Sequence, residues 1–431
     1  MKNLLSAAAL VAAIVALASH SSAQNCYPGF QQCWSFAPRG SEVQRMETGV
    51  ALRSKQLTIT GDIRLRLRGA NAPSDAPYQE ADQQATRARI QMNYQVTDKV
   101  TAKVEFLFAE SWAGSETYSD SSGGLQGAPN EQYNKISQAY VLTNDLLGAD
   151  EVIRVGRSDF FLSNGFILGS CDFLQFPSTF TGAWLGRKFG PVELEGFLFD
   201  DYGPLQNGTL RDGTRFVGGS GKWTVCDDGL VNLVSAYYLA GTGDGDLGAG
   251  LAPAYQDYRN DQWWGIDAKG TLPLELRWQG EVAQRIDEDD TDVAGDPDPL
   301  AYRMRVTRPI GGLVHELSLT RTESEGSLQI NPGDFNSAGL LHQYAGAWRS
   351  DLDTWQLGCV LDPGNDFDIT LTVLTLDHDG ASGGGINRQL GDFEANAIVA
   401  KTLDQGVHVA AGYGIDNDER QVGYLQFTVY F

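Results

Sequence analysis

The sequence predicts an all-β protein, a transmembrane antiparallel β-barrel of the outer-membrane type with about 18 strands. Three observations indicate this fold. Apolar and polar residues alternate with a period of two, the connecting segments are short and long by turns, and after residue 23 no stretch approaches about 18 consecutive apolar residues. The 50 glycines, 16 tyrosines and 9 tryptophans also fit many strands and turns better than helices.

The N-terminus predicts export from the cytoplasm. Lys2 precedes an apolar run over residues 4–18, and small residues, Ser21 and Ala23, occupy positions −3 and −1 of a signal-peptidase site. The run is shorter than the roughly 20 residues that span hydrocarbon, which favours a cleaved signal peptide over a membrane anchor. We therefore expect three parts: a signal peptide (1–23), a short periplasmic or pore-proximal extension (24–56) and an outer-membrane β-barrel (57–431).

The extension contains a close pair of cysteines. Cys26 and Cys33 are expected to form a small disulfide loop in the oxidising periplasm. Residues 41–44 read Ser-Glu-Val-Gln, which matches a capping box and predicts a short helix toward Ser54. Three further cysteines are scattered and lack the spacing of a zinc site. They are Cys171, Cys226 and Cys359.

The alternation begins at Leu57 and is clearest in the first predicted strand. Apolar residues at odd positions alternate there with basic residues at even positions, and similar units of about ten residues recur over 87–96 and 103–108. One face of each strand must therefore meet an apolar medium and the other a polar one. The apolar face would be the core of a soluble sandwich, or the lipid-facing surface of a membrane barrel.

The connections favour the barrel. Short turns are predicted at 97–99, 190–191, 227–229 and 272–273. Long loops are predicted at 110–134, 201–213, 240–261 and 286–299. Short turns at one end and long loops at the other are typical of outer-membrane barrels, and a sandwich has no reason to maintain them. Because single-chain bacterial barrels use an even number of strands, the weak candidate at 341–349 is assigned to a loop.

The last strand carries an assembly signal. Its apolar residues share one parity and end on an aromatic residue, as in the signal that outer-membrane barrels present to the barrel assembly machinery, although an ordinary buried strand could show the same pattern. These residues are Leu425, Phe427, Val429 and Phe431. The expected partners are the assembly machinery, through Phe431, and outer-membrane lipid; no nucleic acid is expected.

Charge is unevenly distributed along the chain. The net charge is −23, yet most of the 32 basic residues fall in predicted strands and most of the 55 acidic residues fall in loops and turns. Same-parity arginines point to one face, and a lipid-facing arginine costs roughly 2–4 kcal/mol at mid-membrane, so that face is predicted to be the lumen. The predicted pore-lining residues are Arg64, Arg66, Arg68, Arg87, Arg89, Lys103, Arg154, Arg157, Arg277, Arg303 and Arg305.

Arginine suits anionic solutes because its planar fork pairs with carboxylate or phosphate through two hydrogen bonds. The alternative is that these arginines pair with acidic strand residues and only stabilise a polar lumen. The candidate acidic partners are Asp62, Glu105, Glu193, Glu195, Glu275 and Glu281. Both roles can hold for different arginines, and the expected solute is an anionic saccharide or a small anion.

No cofactor, metal site or catalytic residue is predicted. The acidic loops at 287–298 and 243–246 could bind Ca²⁺ through oxygen ligands, but neither matches an EF-hand, so a solvated surface is favoured. A barrel lipase or protease would need an activated nucleophile, and neither a Gly-x-Ser-x-Gly elbow nor a zinc-binding His-Glu pair is present. The remaining alternatives are a channel for anionic solutes and a general or differently selective porin.

Residues 155–185 resemble the alginate-export porin family. In that family a strand ends in Gly-Arg, a loop follows and a Thr-Phe-x-Gly element opens the next strand; Gly156, Arg157 and residues 179–182 match these elements. The resemblance implies an 18-stranded barrel with an arginine-rich lumen that exports polyuronate. The chain departs from the family at Ser178, where an arginine is common, and at Thr181, where an aspartate is common.

Overall fold

The computed structural model describes most of the chain beyond the N-terminal region. The described residues are 52–53, 56–71, 81–113, 132–148, 150–170, 179–203, 215–226, 229–242, 261–286, 299–324, 340, 352–364, 367–377, 392–404, 406–417 and 419–431. The signal peptide and the Cys26–Cys33 pair predicted from the sequence lie outside these residues. So does the loop assignment of 341–349.

Alternating residues form long antiparallel strands whose two faces meet different media. A two-residue strand, β1 (Leu52–Arg53), precedes the barrel strands. The barrel strands are β2 (Leu57–Asn71), β3 (Ala81–Thr97), β4 (Val100–Ala113), β5 (Gln132–Asn144), β6 (Glu151–Ser158), β7 (Thr179–Phe189), β8 (Val192–Gly203), β9 (Arg215–Thr224), β10 (Leu233–Thr242), β11 (Gln262–Leu272), β12 (Leu276–Ile286), β13 (Leu300–Gly311), β14 (Val314–Ser324), β15 (Leu352–Gly364), β16 (Phe367–Asp377), β17 (Phe393–Asp404), β18 (Val407–Asp416) and β19 (Gln421–Tyr430).

Each barrel strand pairs with its neighbours in sequence, and β19 closes the barrel by pairing with β2. This confirms the predicted antiparallel barrel and its even number of strands. Beyond β19, the amide of Phe431 donates to the carbonyl of Gly61 at 3.0 Å, and the Gly61 amide donates back to the Phe431 carbonyl at 2.7 Å. The chain therefore remains paired across the closure up to its last residue.

The short strand β1 corrects the extent of the helix that the capping box predicts toward Ser54. Leu52 and Arg53 pair with Ile59 and Thr58 of β2, so a helix does not extend over these two residues, whereas residues 41–51 lie outside the described residues. Hydrogen bonding to a neighbouring strand outweighs a local helical signal at Leu52 and Arg53.

The two faces of β2 show how the strands sort their residues. Ile63 and Leu67 are 44% and 47% exposed on the outside of the barrel, whereas Arg64 between them is fully buried on the inside. Large apolar side chains are likewise exposed on the outer face of most other strands. The apolar face is therefore the exterior of the barrel, as lipid contact requires.

In the described part of the chain, no helix is both long enough and apolar enough to cross a membrane.

The connections alternate in length as the sequence predicts. Two residues separate β3 from β4, and two separate β7 from β8. The connection between β11 and β12 is a single 3-10 turn, Pro273–Glu275. At the opposite end the connections are longer, such as those between β4 and β5 and between β10 and β11. We call these the short-turn end and the loop end; in outer-membrane barrels they face the periplasm and the outside respectively.

Candidate functional site

Five arginines line the inner face of two neighbouring strands, and we call them the arginine ladder. They are Arg64, Arg66 and Arg68 on β2 and Arg87 and Arg89 on β3. All five are buried, on the face opposite the exposed leucines of β2. Arg64 and Arg87 are direct cross-strand partners. Since like charges directly opposite one another destabilise a sheet, fold stability alone does not account for this arrangement.

One carboxylate and one amide orient the ladder. Asp62 accepts a hydrogen bond from Nε of Arg89 at 2.5 Å and another from Nη2 of Arg87 at 3.3 Å. Gln426 on β19 accepts from Nε and Nη2 of Arg66 at 2.9 and 2.6 Å. Structural pairing is thus present, but the described inward side chains of β2 and β3 still carry five positive charges against one negative charge.

The segment after β6 folds into the barrel, and we call residues 159–170 the inner loop. Its side chains at Phe160, Leu162 and Phe166 are buried against an apolar patch of the inner wall. That patch consists of Phe180, Phe197, Phe199, Phe216, Tyr237, Leu239, Trp263, Ala283 and Ala301, from β7 to β13. The Phe160 ring centroid lies 4.7 Å from those of Phe197 and Phe199. The inner loop therefore occupies this side of the lumen.

A buried polar network lies behind the inner loop. Asn164 of the loop donates to Asp267 on β11 over 3.4 Å. Tyr237 donates its hydroxyl to Glu281 at 2.8 Å, and Nη2 of Arg303 lies 3.6 Å from the other oxygen of Glu281. The Arg303 guanidinium carbon also lies 4.8 Å from the Phe166 ring centroid. Arg303 is therefore placed to hold the loop as well as to contribute charge.

The other predicted pore-lining residues are dispersed over the inner wall. Lys103 and Arg154 lie against aromatic rings on β5 and β7. Nη2 of Arg305 lies 2.9 Å from Oε1 of Glu316 on the neighbouring strand. Arg277 is exposed and lies in the second position of β12, at the short-turn end. The structure thus brings the ladder together, places Lys103 and Arg154 on either side of the Tyr140 ring, and leaves Arg277 and Arg305 at separate points.

Arg157 is a correction to the predicted pore lining. Arg154 and Arg157 are three residues apart on β6, so they point to opposite faces. Arg157 shares its face with Val155, which is exposed on the outer surface, and its Nε donates to Oγ1 of Thr181 at 2.9 Å. The register of β6 therefore does not bring Arg157 to the lumen.

Sequence reasoning missed several inward residues. Arg285 on β12 is buried in an ion pair with Asp261 at 2.9 Å, and its parity with Glu281 in the same strand was a usable signal. The inward aromatic residues Tyr140 and Trp184 carried the same signal of parity. The inner loop had a different signal: residues 160–168 are rich in apolar side chains where a surface loop would be polar.

Metal and cysteine chemistry has little support among the described residues. No group of three or more His, Cys, Asp or Glu side chains that could hold a metal ion occurs in that part of the chain. The acidic loops at 287–298 and 243–246, considered for Ca²⁺, lie outside it. Of the described cysteines, Cys226 and Cys359 are both free thiols.

Comparison with known proteins finds similarity in fold alone. No protein-family model and no curated protein matches the chain. OccK9 (OpdG) of Pseudomonas aeruginosa is 12% identical, with a TM-score of 0.63 over 87% of this chain and 98% of that one. The outer membrane protein OpdK of the same organism is 12% identical, with a TM-score of 0.62 over 88% and 99%. OccK2 (OpdF), solved in complex with glucuronate, is 12% identical, with a TM-score of 0.61 over 87% and 96%.

These similarities confirm the predicted all-β barrel of the outer-membrane type. One of these structures, OpdK, is an outer membrane protein. The similarities do not support the assignment to the alginate-export family in particular, because the structures named here are Occ and Opd proteins. What the chain shares with them is the architecture of an outer-membrane barrel.

Proposed function

We propose that the chain is an outer-membrane channel that lets anionic solutes, including uronate-type saccharides, diffuse passively through an arginine-lined lumen. The observation that carries this proposal is the arginine ladder. Arg64 lies directly opposite Arg87, and among the described inward side chains of these strands Asp62 is the carboxylate that accompanies the five guanidinium groups.

The energetics of the ladder favour a role in solute passage. Directly opposed like charges destabilise a sheet, and burial raises the cost of each charge. An anion in the lumen would lower that cost, because it interacts favourably with the summed field of the five positive charges. An inner wall of this kind therefore favours the entry of anions over cations.

Two further observations support sugar acids as the solute class. The Gly-Arg and Thr-Phe-x-Gly elements of residues 155–185 resemble those of polyuronate-exporting barrels. OccK2, which shares this fold, was solved in complex with glucuronate. Alginate-like chains are accordingly the first polymers to test.

The exterior supports placement in the outer membrane. The outward side chains are largely apolar, with aromatic residues such as Trp223 and Tyr238 among the exposed ones, as expected for contact with lipid and its interfaces. We further propose that Phe431 is presented to the assembly machinery before it pairs across the barrel closure.

Ion selectivity tests the proposal directly. The purified protein in a planar bilayer with a KCl gradient should give a reversal potential of the sign for chloride preference. Replacing Arg64, Arg66, Arg87 and Arg89 together with glutamine should lower the chloride-to-potassium permeability ratio by about fivefold, because the positive wall is lost. The matched control is Arg308→Gln, since Arg308 is exposed on the outer face of β13.

Polyuronate fragments added to the same bilayer should block the current at lower concentrations than neutral oligosaccharides of equal length. Cation preference in the wild type would overturn the proposal. Equal permeability to both ions, with no block by polyuronate, would instead indicate a general porin. Hydrolysis of a lipid or peptide by the pure protein would favour the enzyme alternative.

A further inference from the structure

Four side chains on successive strands form a continuous tract on the inner wall. Lys103 on β4 and Tyr140 on β5 are direct cross-strand partners, and so are Arg154 on β6 and Trp184 on β7. Val141, Val155 and Leu185, which adjoin Tyr140, Arg154 and Trp184, are exposed on the outer face, so these three side chains point into the barrel. Lys103 shares the inward face of β4 with the buried Glu105. We call this set the aromatic-cation tract.

Within the tract, cations and rings alternate in contact. Nζ of Lys103 lies 5.7 Å from the ring centroid of Tyr140. The guanidinium carbon of Arg154 lies 5.7 Å from the same ring and 5.2 Å from the ring of Trp184. These distances lie within the range of cation–π attraction, which fixes the orientation of the rings.

Two glycines adjoin the tract, one allowing close backbone approach and the other making room for the indole. Gly156 lies opposite Tyr140 with φ at +127°, a conformation that side chains rarely adopt, and an added Cβ would lie 2.8 Å from Cα of Tyr140. Gly186 follows Trp184 by two residues on the same face, and a Cβ there would lie 2.7 Å from Cη2 of the indole. The observed position of the indole therefore requires a residue without a side chain at Gly186.

The tract adjoins the inner loop and is more accessible than the ladder. Nη1 of Arg154 donates to the carbonyl of Asp159, the first residue of the loop, at 3.1 Å. Trp184 packs against the apolar cluster that the loop covers. Each of the four side chains of the tract is only partly buried, whereas Arg64 and Arg87 are fully buried. A solute passing the loop can thus touch the rings and the cations of the tract together.

We propose that the aromatic-cation tract recognises the ring of a sugar acid, with Tyr140 and Trp184 as its specificity-determining residues. The inference rests on the proposed function, because it assumes that carboxylate solutes enter the lumen. A pyranose has apolar C–H faces that pack on aromatic rings, and its carboxylate can pair with Lys103 or Arg154 at the same time. An open-chain acid of equal charge offers the carboxylate but no flat face.

Glucuronate and gluconate separate these contributions, since both are six-carbon monocarboxylates and only glucuronate carries its carboxylate on a pyranose ring. In bilayer recordings of the full-length protein, we expect glucuronate to half-block the chloride current at a concentration about fivefold lower than gluconate. In Tyr140→Leu and Trp184→Leu the ratio should fall to about one through weaker glucuronate block, with gluconate nearly unchanged. Trp184→Phe should retain most of the preference.

The matched control is Tyr238→Leu, which removes an aromatic ring from the outer surface and should leave the ratio unchanged. Gly186→Val, which displaces the indole without removing it, should behave like Trp184→Leu. For each variant, retention of a heat-modifiable band on a gel shows that the barrel folds. Equal block by the two acids in an anion-selective wild type would overturn this inference and leave the proposed function intact. Loss of block by both acids in Trp184→Leu would overturn it too, whereas cation selectivity in the wild type would overturn the proposed function itself.

Discussion

On β2 and β3, five arginines gather on the inner face around Asp62, whereas on β13 Arg303 lies against Phe166 of the inner loop and close to Glu281. Both arrangements bury arginine inside the barrel. On β2 and β3 the arginines lie opposite other arginines, whereas on β13 the single positive charge of Arg303 contacts an aromatic ring and a carboxylate.

Inward orientation alone therefore does not define the role of an arginine in a barrel. Among the described inward side chains of β2 and β3, five positive charges accompany one carboxylate, and under the proposed function this charge acts on a solute in the lumen. Arg303 is balanced by Glu281 and lies under the inner loop, so it acts mainly on protein structure. A third setting occurs outside, where Arg321 contacts Glu323 and Asp353 on the outer face near the loop end.

Asp62→Asn is expected to have the largest effect on the stability of the barrel. This change removes the carboxylate that holds Arg87 and Arg89, and breaking a buried ion pair typically costs about 3–5 kcal/mol. We expect the folded band on a heat-modifiability gel to be lost at a clearly lower temperature, while chloride preference rises because one negative charge is gone.

The matched control adds Asp62→Asn to the fourfold glutamine variant of the ladder. There the substitution should raise the unfolding temperature, since it removes a buried carboxylate that has lost these arginines. An unfolding temperature that Asp62→Asn leaves unchanged in the wild-type background would contradict the role given to Asp62.

An intermediate effect is expected from Arg303→Met. The variant loses a buried cation–π contact, worth about 2 kcal/mol, and should loosen the inner loop against its wall. Single-channel recordings should show more current noise, and liposome-swelling assays should show passage of larger sugars. The chloride-to-potassium permeability ratio should change by less than about twofold. Arg66→Met is the comparison variant from the ladder. If the chloride-to-potassium permeability ratio fell as far in Arg303→Met as in Arg66→Met, the distinction between the ladder and Arg303 would be contradicted.

The smallest effect is expected from Arg321→Gln. Arg321 is in a partly exposed cluster with Glu323 and Asp353, and such ion pairs contribute about 0–1 kcal/mol. Both the reversal potential and the unfolding temperature should stay close to wild type. A large shift in the reversal potential would mean that charge outside the barrel contributes to selectivity, and the attribution to the lumen would need revision.

Much of the architecture was predictable because it depends on local pattern. Alternation along β2 assigns Arg64 and Arg66 to one face and Leu65 to the other without knowledge of any partner strand. The same rule would have excluded Arg157, three residues from Arg154, from the pore lining. The lengths of the connections likewise follow from the positions of turn residues along the chain.

The candidate site was predictable only in part. Parity places the arginines on the inner face, but it does not reveal that Arg64 lies opposite Arg87 or that Asp62 serves both arginines of β3. Those relations depend on the register between strands, which no single strand contains. The tract of Lys103, Tyr140, Arg154 and Trp184 was missed for the same reason.

The amino-acid sequence is sufficient to predict which side of each strand meets lipid, because a period of two is a property of consecutive residues and of the medium on either side. Which inward residues meet depends on the tertiary structure, since strand pairing joins Tyr140 to Lys103 and barrel closure joins Arg66 to Gln426, 360 positions away. The tertiary structure also decides that residues 159–170 turn inward, because burying their apolar side chains requires a wall that seven other strands build together.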